Sequence, residues 1–412
     1  MHYGRSCHAY GRRRGWISIE GEILLKKPQF HGRKFYRVLS IVGLAIMMAP
    51  LLLGCAGTPQ VKPPVDKMAS PDYAVQAFVW GQYETTERDL KLAKDAGFRW
   101  VKIMFQWDWI EKSKGKFEWN EPDRLTKLAS DMGLKLLARV DFAPPWARVP
   151  GADLKVNGPP AKNQDYADFV GAMASRYKGK IAAYQIWNEP NLAREWDGRA
   201  PSAQEYVALL KGAYQAIKAG DPNAIVISAG LSPTTAPPPI AVPDLEYLRQ
   251  MYASGAKDYF DMLGVHAAGY KASPEADPAE VARDMALTNN DPSPETLKRT
   301  YAFRHVEDYR QAMVEQGDKD KRIAILEFGW TSDNRPGSPY AWHAVTEEQK
   351  AEYIVRAYQY AQKNWKPWVG VMSLIYVSAP YWTPNDEQYY WSITGPDGKT
   401  RPAYDRIKAL TK

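Results

Sequence analysis

Cysteine is nearly missing from these 412 residues. There are two, Cys7 and Cys55, and none follows. The remaining 357 residues therefore hold no disulfide and no cysteine-based metal site. A net charge of one sign is also missing from most of the chain. The formal +7 belongs to residues 1–54, where nine Lys and Arg stand against Glu20 and Glu22, and beyond them 45 basic residues balance 45 acidic ones. A neutral body lacks the electrostatic footprint of a nucleic-acid binder. No glycine-rich phosphate turn follows the first predicted strand, as a doubly wound nucleotide-binding sheet would show. His266, His305 and His343 are the only histidines after residue 31, and none joins a cluster at metal-ligand spacing, so no metal and no cofactor are expected. A hydrophobic fraction of 45% with 25% charged residues excludes a disordered or fibrous chain.

One long apolar run is present. Val38 to Leu53 is 16 residues, short of the about 20 a membrane span needs, and Arg33, Lys34 and Arg37 precede it. This is the layout of a secretory signal. Leu52-Leu53-Gly54-Cys55-Ala56 resembles the lipobox of bacterial lipoproteins, which implies lipidation of Cys55; an uncleaved anchor is the alternative. Residues 1–32 come too early for the signal and suit a start assigned too far upstream or a true extension. Residues 1–54 are thus expected to be a leader and 55–72, rich in proline, a lipidated tether. Residues 73–412 then lie outside the cytoplasm of a bacterium, held to a membrane through Cys55.

From residue 73 onward, strand-length apolar runs alternate with amphipathic helical patterns. The strands are expected at 74–79, 100–105, 134–140, 181–187, 224–229, 260–265, 323–328 and 369–376. Most are continuously apolar, as parallel strands covered on both faces are. Tyr166, Phe169, Val170, Met173, Ala174 and Tyr177 keep a 3.6-residue rhythm, as do Tyr206, Leu209, Leu210, Ala213, Tyr214 and Ile217. Gly97, Gly133 and Gly220 are expected to stop helices at the C′ position. Eight strand–helix pairs predict an α/β fold, a single (β/α)8 TIM barrel over 73–412, whose catalytic groups stand at the C-terminal strand ends.

The fourth strand runs out in Trp187-Asn188-Glu189-Pro190-Asn191 and the seventh in Glu327-Phe328-Gly329-Trp330. Two glutamates on such a rim form the two-carboxylate apparatus of glycoside hydrolysis, with desolvation expected to raise the proton affinity of the acid. Tyr184 to Leu192 resembles the acid/base segment of clan A glycoside hydrolases, most of all family 39, and Ile325 to Ser332 resembles the clan's nucleophile segment, with Leu326 in place of a frequent threonine. Residues 105–119 and 391–404 are similar to further segments of these enzymes, so the resemblance spans roughly 73–410. It implies a retaining enzyme cleaving a β-linked poly- or oligosaccharide, with Glu189 as acid/base and Glu327 as nucleophile. It further implies that Asn188 binds the hydroxyl beside the reacting carbon, and that His266 and Tyr270 touch nucleophile and sugar. Rings suited to stack on sugar C–H faces stand at rim positions, namely Trp80, Trp107, Trp146, Trp330, Tyr376 and Trp382. The long segments 231–243, 266–296 and 331–346 are expected to wall the cleft. A transglycosylase would use the same residues, and an inactive carbohydrate-binding lipoprotein could keep the barrel without the chemistry. A monomer is expected.

Overall fold

The computed structural model describes residues 68–410 together with Val65. The leader, Cys55 and most of the tether lie outside the described residues. Eight parallel strands close in sequence order: β1 Asp72–Ala77, β2 Trp100–Met104, β3 Lys135–Val140, β4 Ile181–Ile186, β5 Ile225–Ile227, β6 Met262–Ala268, β7 Arg322–Gly329 and β8 Val369–Val377. The expected (β/α)8 barrel is what forms. β5 is shorter than expected, because only three of its residues stay in register with β4. β6 begins and ends later than expected, and His266, Ala267 and Ala268 pair with Glu327, Phe328 and Gly329.

Side chains alternate along each strand, so a strand buried on both faces contributes to two cores. The outer one lies between sheet and helices and takes Val101, Ile103, Leu136, Ala138, Tyr184, Ile186, Ile323 and Ile325. The inner one fills the N-terminal end of the barrel with Ala74, Trp100, Leu137, Ala183, Ile225, Ile227, Met262, Ala324, Leu326 and Val371. Val65 and Met68 join this inner core, so chain expected as tether packs into the barrel floor.

Two residues further along five of these strands, the interior changes character. Ala74 is followed by Gln76, Trp100 by Lys102, Leu137 by Arg139, Ala183 by Gln185 and Val371 by Ser373, all of them buried. An apolar floor thus carries a polar layer directly beneath the C-terminal rim.

The helices fix where the strands end. Helix Asn163–Arg176 sends the Tyr166 hydroxyl to the Val140 carbonyl at 2.7 Å. Helix Ala203–Gly220 sends the Tyr206 hydroxyl to the Ile186 carbonyl at 3.0 Å, and the same oxygen accepts from Ala229 N–H at 2.6 Å. Gly97 and Gly133 have φ of 84° and 66°, as their helix stops require. Gly220 corrects the third expectation. It is the last helical residue, and its missing Cβ makes room for the Ser175 backbone N at 2.8 Å. His305 begins helix Val306–Glu315 and bridges Asp244 and Asp308 at 2.8 Å each, a structural role.

Gly264 sits inside β6 where a Cβ would lie 2.2 Å from the Ser228 carbonyl oxygen. Backbone cannot give way as a side chain can. Gly264→Ala is therefore expected to lose about 1–3 kcal/mol of stability, read from urea denaturation.

Candidate active site

Glu189 stands three residues past the end of β4 and Glu327 lies within the last three residues of β7. The turn carrying Glu189 is unusual. Trp187 and Glu189 adopt φ of 69° and 44°, a left-handed backbone that costs a non-glycine residue about 1–3 kcal/mol. Phe142, just past β3, and Tyr270, just past β6, share this conformation with φ of 60° and 47°. Strain of this kind persists where surroundings over-determine it. Here Trp187 N–H bonds the Val140 carbonyl at 2.9 Å and Glu189 N–H bonds the Gly230 carbonyl at 3.0 Å. From below, Gln185 Nε2 donates to the Trp187 carbonyl at 3.0 Å and to Asn188 Oδ1 at 3.1 Å. With its oxygen occupied, Asn188 offers its NH2 as the remaining donor.

His266 joins the two carboxylates. Its Nδ1 lies 3.1 Å from Glu189 Oε1 and 3.9 Å from Glu327 Oε2, which bounds the gap between those oxygens at about 7 Å and admits the about 5–5.5 Å of a retaining pair. The ring packs over Gly230, where a Cβ would strike it at 2.2 Å.

The polar layer sets the charge on Glu327. Lys102 Nζ donates to Glu327 Oε1 and to the Leu326 carbonyl, each at 3.0 Å, and Arg139 Nη1 lies 3.7 Å from the same oxygen. Burial pushes the Glu327 carboxyl up, but Lys102, then His266 and Arg139, outweigh it and hold it below its ordinary value. Burial in turn pulls the Lys102 ammonium down to about 8. Arg139 is itself held by Asp141 at 2.7 Å, and the half-buried Asp108 is pushed up to about 6, first by desolvation and then by Asp141.

Glu189 departs from the raised proton affinity expected of it. Burial does push it up. The hydrogen bond from His266 and the charge of Arg194, whose Nη2 lies 2.8 Å from Oε2, more than cancel this and hold the carboxyl far below its ordinary range. The neighbouring Glu195, bonded by Asn157 Nδ2 at 3.0 Å, goes the other way, pushed up to about 7 first by burial and then by Glu189.

The rings divide. Trp107 and Trp330 are fully buried. Trp107 stacks on Phe169 and donates to Glu111, while Trp330 packs on Phe303 and Gly269 and donates to the Ala272 carbonyl. Neither has a face for a sugar, which corrects both expectations; rim position in sequence did not reveal that Tyr166 and Phe169 cover the first ring and Phe303 and Tyr353 the second. Trp382, itself only 8% exposed, forms one cluster with Tyr376 and Phe78, with centroids 4.8–5.4 Å apart, next to Tyr381, which is 58% exposed. Trp80 lies 5.1 Å from Trp109 in a second group. Trp146 is half-buried, with Lys114 over its ring at 5.8 Å. Tyr270 is half-buried, stacks on Trp342 at 5.8 Å and bonds the Pro233 carbonyl at 3.3 Å. The wall segments are tied together, since Asp291 accepts from both Thr235 and Tyr301 at 2.7 Å. Among the described residues no cluster of His, Cys, Asp and Glu could hold a metal ion, and no helix is long and apolar enough to cross a membrane.

Residues 63–370 match the family model for cellulase, glycosyl hydrolase family 5. The chain belongs to this family. The clan A resemblance read from the glutamate segments stands at that level. The family 5 barrel is similar in fold to a family 39 glycoside hydrolase from Bacteroides cellulosilyticus, with TM-score 0.61 at 17% identity over 82% of this chain and 63% of that one. It thus spans less than two thirds of that protein's length. A family 5 subfamily 18 enzyme from Streptomyces cattleya, in complex with GlcNAc, aligns with TM-score 0.55 at 14% identity over 83% of this chain and 80% of that one. Xylanase 10B from Thermotoga maritima gives 0.53 at 12% over 84% and 97%. These likenesses are of fold. No curated protein sequence matches.

Lys102, Arg139, Gln185, Arg194 and Glu195 were not anticipated. For the first three a signal existed, a lone polar residue inside an apolar strand. Lys102→Met removes the nearest cation from Glu327, so its carboxyl should take up a proton at higher pH. The acidic limb of the kcat/KM profile is expected to move up by about 1–3 units, a shift that rate measurements between pH 3 and 8 would reveal.

Proposed function

We propose that this family 5 glycosidase hydrolyses a β-linked poly- or oligosaccharide with retention, through Glu327 as nucleophile and Glu189 as acid/base. The observation that carries this reading is the single His266 nitrogen within reach of both rim carboxylates, one of which rests on a buried lysine. An ionised carboxylate aimed into a cleft is what a nucleophile must be. A Glu327 oxygen attacks the anomeric carbon while the glycosidic C–O bond breaks, and Glu189 gives its proton to the departing oxygen. Water then attacks the glycosyl-enzyme, losing its proton to Glu189 and releasing Glu327. The Asn188 NH2 donates to the hydroxyl beside the reacting carbon, a bond that strengthens as positive charge develops there. Trp382, Tyr376 and Trp146, with Tyr270 on the far wall, supply rings and a hydroxyl to the sugar. The pattern of the segment around Glu189 also keeps family 39-like specificity within this reading.

The two glutamates act at different steps and should fail differently. Glu327→Gln or Ala should abolish turnover, and azide should rescue the alanine variant with an inverted product. Glu189→Ala should spare the first step for an aryl glycoside whose leaving group needs no proton, accumulate the glycosyl-enzyme, and be rescued by azide with retention. The anomer of each azide product, read by NMR, decides the assignment; near-normal activity of Glu327→Ala or an inverting native enzyme would overturn it.

We propose also that the enzyme works outside the cytoplasm, tethered to a bacterial membrane through lipid on Cys55. The basic stretch, the apolar run and the cysteine after Gly54 support this. Cys55→Ser should leave the membrane fraction or persist as precursor in labelled-palmitate experiments. A normally lipidated, membrane-bound product would refute the anchor.

A further inference from the structure

The acid/base glutamate is held from both sides. Its Oε1 faces His266 Nδ1 at 3.1 Å, a buried ring wedged over Gly230 that has no room to withdraw. Its Oε2 faces Arg194 Nη2 at 2.8 Å, and this partner differs in kind. The Arg194 side chain is 67% exposed, whereas that of Glu189 is 13% exposed. Arg194 lies in the short turn Ala193–Glu195, and its other carboxylate neighbour, Glu195, is 3.7 Å from Nε. Oε2 is thus the oxygen of Glu189 not held from within the barrel, and an exposed guanidinium covers it.

We infer that Arg194 is a latch displaced by substrate: the oxygen it covers is the one that has to meet the glycosidic oxygen, so entry of a leaving-group sugar and the Arg194–Glu189 ion pair exclude each other. This rests on the reading of Glu189 as acid/base. In the free enzyme the guanidinium keeps that carboxyl ionised and unable to act as an acid. When a sugar takes its place, Glu189 loses a charge partner in a buried setting, and its proton affinity rises. It then takes one proton from solvent, the proton it gives to the leaving group. The other ionisable groups whose charge bears on this pair are His266 from β6, Glu327 from β7, Glu195 beside it, Tyr270 after β6, and Tyr340 and Glu387 across the cleft. An ordinary surface ion pair would matter little, but here Glu189 is only 13% exposed, so water makes good less of the loss of its partner.

The test is the pH dependence of a phenyl β-glycoside, chosen as the best substrate from a panel of glycones, with the native enzyme, Arg194→Gln and Arg194→Lys. Arg194→Gln should move the limb of kcat/KM that Glu189 sets, which reports free enzyme, upward by about one unit or more. The basic limb of kcat, which reports the complex, should stay in place, because there the latch is already open. Arg194→Lys should keep the native kcat/KM limb. With a 2,4-dinitrophenyl leaving group, which needs no proton, the glycosylation step should lose its basic limb in all three proteins. A kcat/KM limb unmoved in Arg194→Gln, or a kcat limb that moves equally with it, would overturn the latch while leaving the two-glutamate mechanism intact. Failure of that mechanism shows elsewhere, as a Glu189→Ala variant with native rates on the phenyl glycoside.

Discussion

A lysine ammonium with no exposure to water sits inside the barrel, and the site is arranged around it. Left unpaired, Lys102 would cost several kcal/mol in desolvation. It is kept by the Glu327 carboxylate and the Leu326 carbonyl above it. The dependence runs both ways, since burial pushes the Glu327 carboxyl up and Lys102 is the first group that holds it down. Arg139 and Asp141 extend the same compensation to the adjoining strand. The apolar floor below excludes water from these charges, which strengthens every interaction among them. Nucleophile, cation and floor are therefore one unit, built by the simple alternation of side chains along parallel strands.

The second glutamate is governed by different means. Glu327 takes its charge from groups locked in strands, whereas Glu189 stands on a strained turn and answers to one rigid ring and one exposed guanidinium. Two carboxylates that share one histidine thus differ in what can change their state. The first is set when the protein folds, and the second stays open to whatever enters the cleft.

Much of this was legible in the sequence. All eight strands were located, and Glu189 and Glu327 stood out because strand ends are where a parallel barrel exposes its chemistry. What stayed hidden has physical causes. Lys102, Arg139 and Gln185 interrupt apolar runs, but a run buried on both faces does not say which face points inward, and that decides whether a lone charge meets solvent or the barrel axis. Trp107 and Trp330 follow strands just as Trp146 does; only the side chains packed on them, Phe169 and Tyr353 among them, separate a packed ring from a half-buried one. Arg194 follows Glu189 by five residues, and no periodicity links them, because the connecting turn is irregular. Gly220 looked like a helix stop and proved to be a contact point between two helices.

Val65 and Met68 give the barrel a floor made from chain that precedes its first strand. The Met68 sulfur would lie 3.0 Å from a Cβ placed on Gly370, and Met262 closes in from the neighbouring strand. The domain that folds is thus longer at its front than its strand pattern suggests. Proteolysis between this segment and β1 would do more than shorten a linker: it would open the dry end of the barrel, let water rise toward the polar layer, and loosen from beneath the charges that the cleft above relies on.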